Sequence, residues 1–268
     1  MMKVPEPVIP GNIPEDRIPS LLVNWHLGSR ARRHMSRRRF ISVSRALCGM
    51  GGGRVLDIGC GWGYNLLLLG ANGFESVGID IVSNDFLAAR WIADANEEVL
   101  HLAQADASAL PFEDGSYDAV TSVETFEHIY AGDRVKVVRE IFRILKPGGI
   151  LSMSTPNFTS LVERGKRLLV RVPFLKRFFP SMCYPAGETS KAAYHPYRYH
   201  LPVRRSELVD LLGGNGFERV EVRTIIFVWK NVPDFLFPPA QFIEAVLERL
   251  PGPNRLGSTL VLTARKPR

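Results

Sequence analysis

"VLDIGCGWGYN", Val55 to Asn65, sets Gly59, Gly61 and Gly63 directly behind a short apolar run that carries Asp57. Such a run reads as a strand, and the bare turn behind it feeds a helix that starts near Tyr64. In open α/β sheets, ligands sit beyond the carboxyl ends of the strands, where the strand order reverses. Glycines let a ligand approach the backbone there, and the following helix directs its amide dipoles at it. The spacing is G-x-G-x-G, not the G-x-G-x-x-G of dinucleotide sites, whose pyrophosphate would be repelled by a carboxylate placed just ahead. Asp57 instead suits a ligand carrying an ammonium or sulfonium group. A tight turn with no ligand is the competing explanation of the glycines taken alone.

Working outward, short β-rich runs alternate with amphipathic helical stretches, the pattern of a parallel sheet with crossover helices. The sequence predicts strands at Arg54 to Ile58, Ser76 to Ile81, Val99 to Ala103, Tyr117 to Ser122 and Ile150 to Thr155. "NDFLAARWIADANEE" and "DRVKVVREIFRIL" read as helices between them. In the second, Val135, Val138, Ile141, Phe142 and Leu145 recur at three- and four-residue steps, and Pro147, Gly148 and Gly149 close it. After Thr155 the regularity breaks for roughly forty residues, longer than an ordinary connection. It resumes with a helix in "RRSELVDLLGGNGFE", a strand at Val220 to Phe227, a helix at Gln241 to Leu250 and a last strand at Ser258 to Ala264. The chain therefore divides into an N-terminal segment with cap helices (1–52), a ligand-binding core (53–157), an insertion or lid (158–204) and a C-terminal completion of the sheet (205–268).

Two more acids sharpen the ligand. Asp80, followed by Ile81, ends the second strand in "VGID", where a carboxylate can accept both hydroxyls of a ribose. Asp106, with Ala107 after the third strand, is placed to meet an adenine amino group. A ligand with an amine, a ribose and an adenine is S-adenosylmethionine. At these residues the chain resembles the class I S-adenosylmethionine-dependent methyltransferases. "VLDIGCGWG", "VGID", "ADASALPFEDGSYDAVTSVETFEHI" and "LKPGGILSMSTPN" stand in that family's order and spacing from about Arg54 to Asn157. The resemblance implies that Asp57 and the three glycines hold the methionine end, Asp80 the ribose, and Asp106 with Ala107 the adenine region, while Val123 lines the cofactor. It also implies a Rossmann-like, doubly wound sheet of seven strands, the last one antiparallel, with "STLVLTARK" in place for it.

The acceptor is less legible. Methyl transfer is a displacement at a sulfonium whose leaving group is already good, so catalysis can rest on positioning, and a base is needed only for a hydroxyl or an acidic carbon. In "ETFEH", Glu124, Glu127 and His128 stand at i, i+3 and i+4, the spacing of one helical face. Two carboxylates and an imidazole, with His195 or His200 as a candidate fourth ligand, can hold a divalent metal of the magnesium or manganese class that lowers the pKa of an acceptor hydroxyl, or the three can simply hydrogen-bond near the cofactor. The stretch is similar to the related E-x-x-E-H motif of ubiquinone-pathway O-methyltransferases and small-RNA 2′-O-methyltransferases, where the motif participates in metal binding. His195 and His200, in "YHPYRYHLPVRRSEL", precede the helix where related enzymes often place a histidine near the acceptor, with Tyr194, Tyr197 and Tyr199 as pocket walls. Glu127, His128, His195 and His200 are thus the candidate catalytic groups.

Charge and composition bound the partners. The 268 residues carry 34 Lys and Arg against 27 Asp and Glu, a net +7 that suits an anionic partner without choosing one. In the insertion, "FTSLVERGKRLLVRVPFLKRFFPSMCYP" interleaves basic residues with Leu168, Leu169, Val172, Phe174, Phe178 and Phe179, a pattern for peripheral membrane contact or for a lid over a bulky, apolar acceptor. Six arginines between Arg30 and Arg39 could follow a phosphate backbone, but few aromatics interleave with them, so nucleic acid is the alternative. A non-catalytic partner subunit with this fold is the other alternative. The three cysteines are far apart and form neither a disulfide framework nor a zinc pattern. The proline-rich start does not read as a signal peptide, and the expected location is cytoplasmic, with membrane association open. The reading therefore favours O-methylation of a lipid-like or aromatic small molecule, with oligomeric state undetermined.

Overall fold

The computed structural model describes residues 2–11, 28–170 and 199–268. Its centre is a seven-stranded sheet formed by β1 (Gly53–Ile58), β2 (Phe74–Asp80), β3 (His101–Gln104), β4 (Tyr117–Val123), β5 (Leu145–Pro156), β6 (Glu218–Ile225) and β7 (Thr259–Arg265). The order is β3-β2-β1-β4-β5-β7-β6, with the first five strands parallel and β7 antiparallel to both neighbours. From β1 the chain first winds outward to β3, then returns to start β4 on the other side of β1. That reversal opens a crevice at the carboxyl ends of β1 and β4, where a doubly wound sheet binds its ligand.

Seven α-helices are described: α1 (Arg30–Ser44), α2 (Tyr64–Gly70), α3 (Phe86–Ala95), α4 (Arg134–Ile144), α5 (Leu161–Val170), α6 (Arg205–Gly213) and α7 (Phe237–Leu247). The central strands are apolar on both faces because helices cover both. Leu56, Val120 and Leu151 are fully buried in one core cluster with Val137, Val138 and Ile141 of α4 and Leu208 and Leu212 of α6. A second cluster joins Phe40 and Val43 of α1 to Trp62, Tyr64, Leu67 and Leu68 around the glycine turn, with Ile225 and Val261. The arginine-rich stretch is therefore an integral helix packed on β4, β5 and β7.

Several boundaries differ from the sequence expectation for identifiable reasons. β3 begins at His101 because the chain arrives through Glu97, at φ +55°, and through Val99, which is solvent-exposed. α7 begins at Phe237, ahead of the expected Gln241. Pro238 and Pro239 fall in its first turn, where a missing N–H costs nothing. α5 lies within the stretch expected to be irregular, and the rest of that basic stretch, from Arg171 to Pro185, lies outside the described residues. Among the described residues, no helix is long and apolar enough to cross a membrane.

Candidate active site

The turn from β1 into α2 is fixed by backbone bonds and by three left-handed glycines. The N–H groups of Gly59 and Cys60 both donate to the Ile79 carbonyl, at 2.8 and 3.0 Å, tying the turn to β2. Gly59 has φ +75°, and a Cβ there would come within 2.1 Å of the Thr125 side chain. Gly61, at φ +49°, has only the Asp85 carboxylate near its missing Cβ, at 3.7 Å, so its bare face is open. Gly63 caps α2 in the left-handed region.

Asp57, in β1 just before this turn, is 2% exposed. Its Oδ1 accepts from Asn65 Nδ2 and from Thr121 Oγ1, each at 2.7 Å. Burial pushes the carboxyl up to about 7, against the hydrogen bonds from Thr121 and Asn65. Asp57 braces the turn from beneath, and Gly63 likewise serves the helix start; neither lines the cavity described next.

Asp80 ends β2 with both carboxylate oxygens oriented: Oδ2 accepts from the Gly61 N–H at 3.1 Å and Oδ1 from the Val82 N–H at 3.0 Å. Burial raises its pKa, against those backbone N–H groups. Asp106 is turned by the Ser108 N–H, which donates to Oδ1 at 2.8 Å. A cavity of about 610 Å³ brings Gly59, Gly61, Asp80, Ile81, Asp106, Ala107 and Val123 onto one continuous surface. This volume lies in the range of small-molecule and cofactor sites.

The same cavity carries Glu124, Glu127, His128 and His200. The expectation of one helical face for Glu124, Glu127 and His128 is corrected here. Glu124 sits at φ +51° before a short 3-10 turn over Phe126–His128, so it does not share their face. Its carboxylate accepts from Ser154 Oγ at 3.0 Å and pairs with Arg39 at 3.3 Å. His200 takes its place in the cluster: Glu127, His128 and His200 each offer a ligand atom within 4.8 Å of the others.

That cluster is held by its neighbours. His128 Nδ1 lies 2.7 Å from the Tyr199 carbonyl and donates to it, while Nε2 lies 3.9 Å from Glu127 Oε1. The Leu201 N–H donates to the Glu127 carbonyl, and Arg134 donates to the Leu201 carbonyl, so the chain around His200 is clamped to the turn after β4. Glu127 is 1% exposed and receives Thr155 Oγ1 at 3.1 Å. Burial first, then the Glu124 charge, drives its pKa well above the ordinary carboxylate range. Burial and the nearby His128 push His200 down to about 3, so its imidazole is neutral. Two imidazoles and a carboxylate are a chemically fitting set for a divalent transition metal, softer than the two-carboxylate set expected from sequence. His195, Tyr194 and Tyr197 lie outside the described residues.

The helix α1 closes the cavity with Arg32, Met35, Ser36 and Arg39. Its other arginines have mixed surroundings, with Arg33 exposed on the helix surface. Arg38 bonds Glu244 at 2.6 Å and Glu248 at 2.7 Å, Arg37 pairs with Glu6, and Arg30 stacks on Phe237. Glu244, 1% exposed, also bonds His34 and receives the N–H groups of Phe227 and Val228. Although burial alone would raise it, those partners hold its carboxyl down to about 2. Arg38 thus anchors α1 to α7, while Arg32 and Arg39 face the cavity and Arg30 and Arg33 are exposed. Sequence reasoning missed this pairing, and also Thr125, Thr155 and the apolar lining from Val228 and Trp229.

Residues 56–153 match the family model described as "Methyltransferase domain". The demethylmenaquinone methyltransferase of Clavibacter sepedonicus is 33% identical over 145 residues, covering 53% of this chain and 56% of that protein. The ubiquinone biosynthesis O-methyltransferase of Xanthomonas oryzae pv. oryzae is 34% identical over 111 residues, 41% of this chain and 46% of that one. The chain spans about half the length of the curated relatives it matches. Among solved structures, phosphoethanolamine N-methyltransferase 2 of Haemonchus contortus, in complex with S-adenosyl-L-methionine, superposes with a TM-score of 0.59. It is 19% identical, and the match covers 94% of this chain and 56% of that one, a likeness of fold.

Proposed function

We propose that this chain, whose residues 56–153 form a class I S-adenosylmethionine-dependent methyltransferase domain, transfers the cofactor's methyl group to an oxygen of a lipid-like or aromatic small molecule. The observation that carries the reading is the single cavity in which the adenosyl-binding residues Asp80 and Asp106 share a surface with Glu127, His128 and His200. Asp80 orients the ribose through oxygens that the Gly61 and Val82 N–H groups already hold. Gly59 and Gly61 leave the backbone open to the methionine end, and Ile81, Ala107 and Val123 supply apolar contact to the adenosine.

Glu127, His128 and His200 stand at the acceptor end. His200, kept neutral by burial, and His128, whose Nδ1 donates to the Tyr199 carbonyl, are placed to hydrogen-bond and orient the acceptor. The same three residues would hold a divalent metal, which when bound lowers the pKa of a coordinated hydroxyl. Buried Glu127, braced by Thr155, keeps the cluster in place. Met35, Val162, Val228 and Trp229 give the cavity an apolar portion fit for a ring or an alkyl chain.

A lipid-like acceptor is further supported by the outer surface of α7. Phe242 is 72% exposed, with Ile243, Val246 and Leu250 exposed beside it and Phe235 just before the helix. Such a face favours peripheral contact with a membrane that stores the acceptor. Incubation with methyl-labelled cofactor and a panel of alkylated catechols and hydroquinones tests the reaction. Label recovered as a methyl ether supports the reading, and label on nitrogen or carbon alone refutes the oxygen assignment.

A further inference from the structure

The cavity has a second polar wall, built from elements other than those that carry Asp80 and Asp106. Ser36 of α1 is 4% exposed, and its hydroxyl meets no hydrogen-bond partner among the described residues. Ser258, just before β7, likewise buries an unpartnered hydroxyl oxygen, and both residues line the cavity. Leaving a buried hydroxyl unsatisfied costs about 1–3 kcal/mol, and native proteins rarely do so without a reason. A serine inside a helix commonly bonds the carbonyl one turn back. Ser36 does not.

Cations gather around these hydroxyls. Arg32 and Arg39 sit four residues before and three after Ser36, on the same face of α1. Arg39 also donates to Thr259, the neighbour of Ser258, at 3.3 Å. Lys166 and Lys230 complete the wall. Burial, then the charges of Lys166 and Arg32, lower the Lys230 pKa, which marks the three cations as close together. Two of the four are balanced: Arg39 by Glu124 at 3.3 Å and Lys166 by Glu163 at 2.6 Å. Arg32 reaches the neutral amide oxygen of Asn231 at 3.4 Å, and the Lys230 ammonium has no ion pair among the described residues. Among the described residues of this wall, positive charge is therefore in surplus where two hydroxyls lack partners.

An apolar ligand would leave both hydroxyls orphaned, and a cationic one would be repelled. Hydroxyls and ammonium or guanidinium donors together call for a ligand with several acceptor oxygens and a negative charge. We infer that this wall binds an anionic oxygen group of the acceptor, a carboxylate or a phosphate monoester, and thereby orients it toward the transferable methyl. The inference rests on the proposed reading of the cavity as the methyl-transfer site.

The test titrates the full chain with phenyl phosphate, benzoate and the neutral benzyl alcohol, by ligand-observed NMR, and separately with S-adenosylhomocysteine by calorimetry. At least one anion should bind tenfold or more tightly than benzyl alcohol, and the better of the two identifies phosphate or carboxylate as the recognised group. In Lys230→Ala and in Ser36→Ala that preference should fall at least fivefold, while S-adenosylhomocysteine affinity stays within twofold. Equal binding of all three probes, no detectable anion binding, or a preference that survives in both variants overturns the inference. Failure of the native chain to bind S-adenosylhomocysteine would instead strike the methyltransferase reading, and the anion comparison would still stand or fall by its own result.

Discussion

Replacing Asp80 with alanine probes the cofactor site at its best-defined polar contact. Each carboxylate oxygen already accepts one backbone N–H, from Gly61 at 3.1 Å and Val82 at 3.0 Å, and keeps a second lone pair for a ribose hydroxyl. A hydrogen bond to a charged group contributes about 1.5–3 kcal/mol, so two would give roughly 3–6 kcal/mol if both were lost without compensation. Asp80 is only half-buried, and water can enter the space vacated by the side chain. The expected net loss is therefore about 2–4 kcal/mol, or roughly a 30- to 700-fold weaker Kd. Asp80→Asn keeps the volume and one acceptor oxygen, and should fall between the native protein and the alanine variant. Calorimetric titration with S-adenosylhomocysteine measures all three, with circular dichroism to verify the fold. An alanine variant that is folded and binds within threefold of the native protein would refute the assignment of Asp80 to the ribose.

Four further outcomes follow from named contacts. Gly59→Ala forces a Cβ into Thr125 at φ +75° and should lower stability by more than the roughly 1–2 kcal/mol of the left-handed conformation alone, whereas Gly61→Ala should lose mainly cofactor affinity; denaturant melts and titrations showing equal stability loss in both would sink this distinction. Glu244→Ala leaves Arg38, His34 and two backbone N–H groups facing an empty buried site and should cost about 3–5 kcal/mol in urea unfolding, a cost under 1 kcal/mol being incompatible with its role. Because the folded Glu244 pKa lies near 2, below its ordinary 4.5, its contribution is complete above pH 4.5 and is lost as pH falls toward 2. The alanine variant should therefore show a shallower acid decline than the native chain between those values. If a metal on the Glu127, His128 and His200 cluster activates the acceptor, exhaustive chelation should abolish turnover reversibly and leave S-adenosylhomocysteine affinity unchanged, and full activity after chelation would remove the metal from that cluster. The chain should also pellet with phosphatidylglycerol vesicles at low salt, and Phe242→Ser should release it; equal pelleting of both proteins would exclude the α7 face.

The cavity surface that Gly59, Gly61, Asp80 and Asp106 share was legible because each carries a local signal, a glycine at a left-handed turn or an acid at or just after a strand end, although the three strands are far apart in sequence. The surroundings of Asp57 were less so, since its partners Asn65 and Thr121 come together on it only when β1 and β4 pair, and it does not line the cavity. The acceptor half depends on contacts distant in sequence. His200 joins Glu127 and His128 because Tyr199 accepts from an imidazole 71 residues away, a contact that no spacing rule encodes. Glu124 fails to join them because its left-handed backbone breaks the helical periodicity assumed for "ETFEH". The α1 arginines looked alike in sequence, yet Arg38 is paired with Glu244, 206 residues later, whereas Arg32 and Arg39 face the cavity. Charge counts cannot distinguish a cation that faces solvent from one spent on a buried carboxylate.

A crystal structure of the chain soaked with S-adenosylhomocysteine tests the central claim most directly. The account predicts one molecule in the cavity, with its ribose hydroxyls on Asp80, its adenine beside Asp106 and Ala107, and its sulfur facing the end of the cavity that holds Glu127, His128 and His200. Density for the ligand elsewhere, or an adenosine lying against His200 with Asp80 untouched, would contradict it.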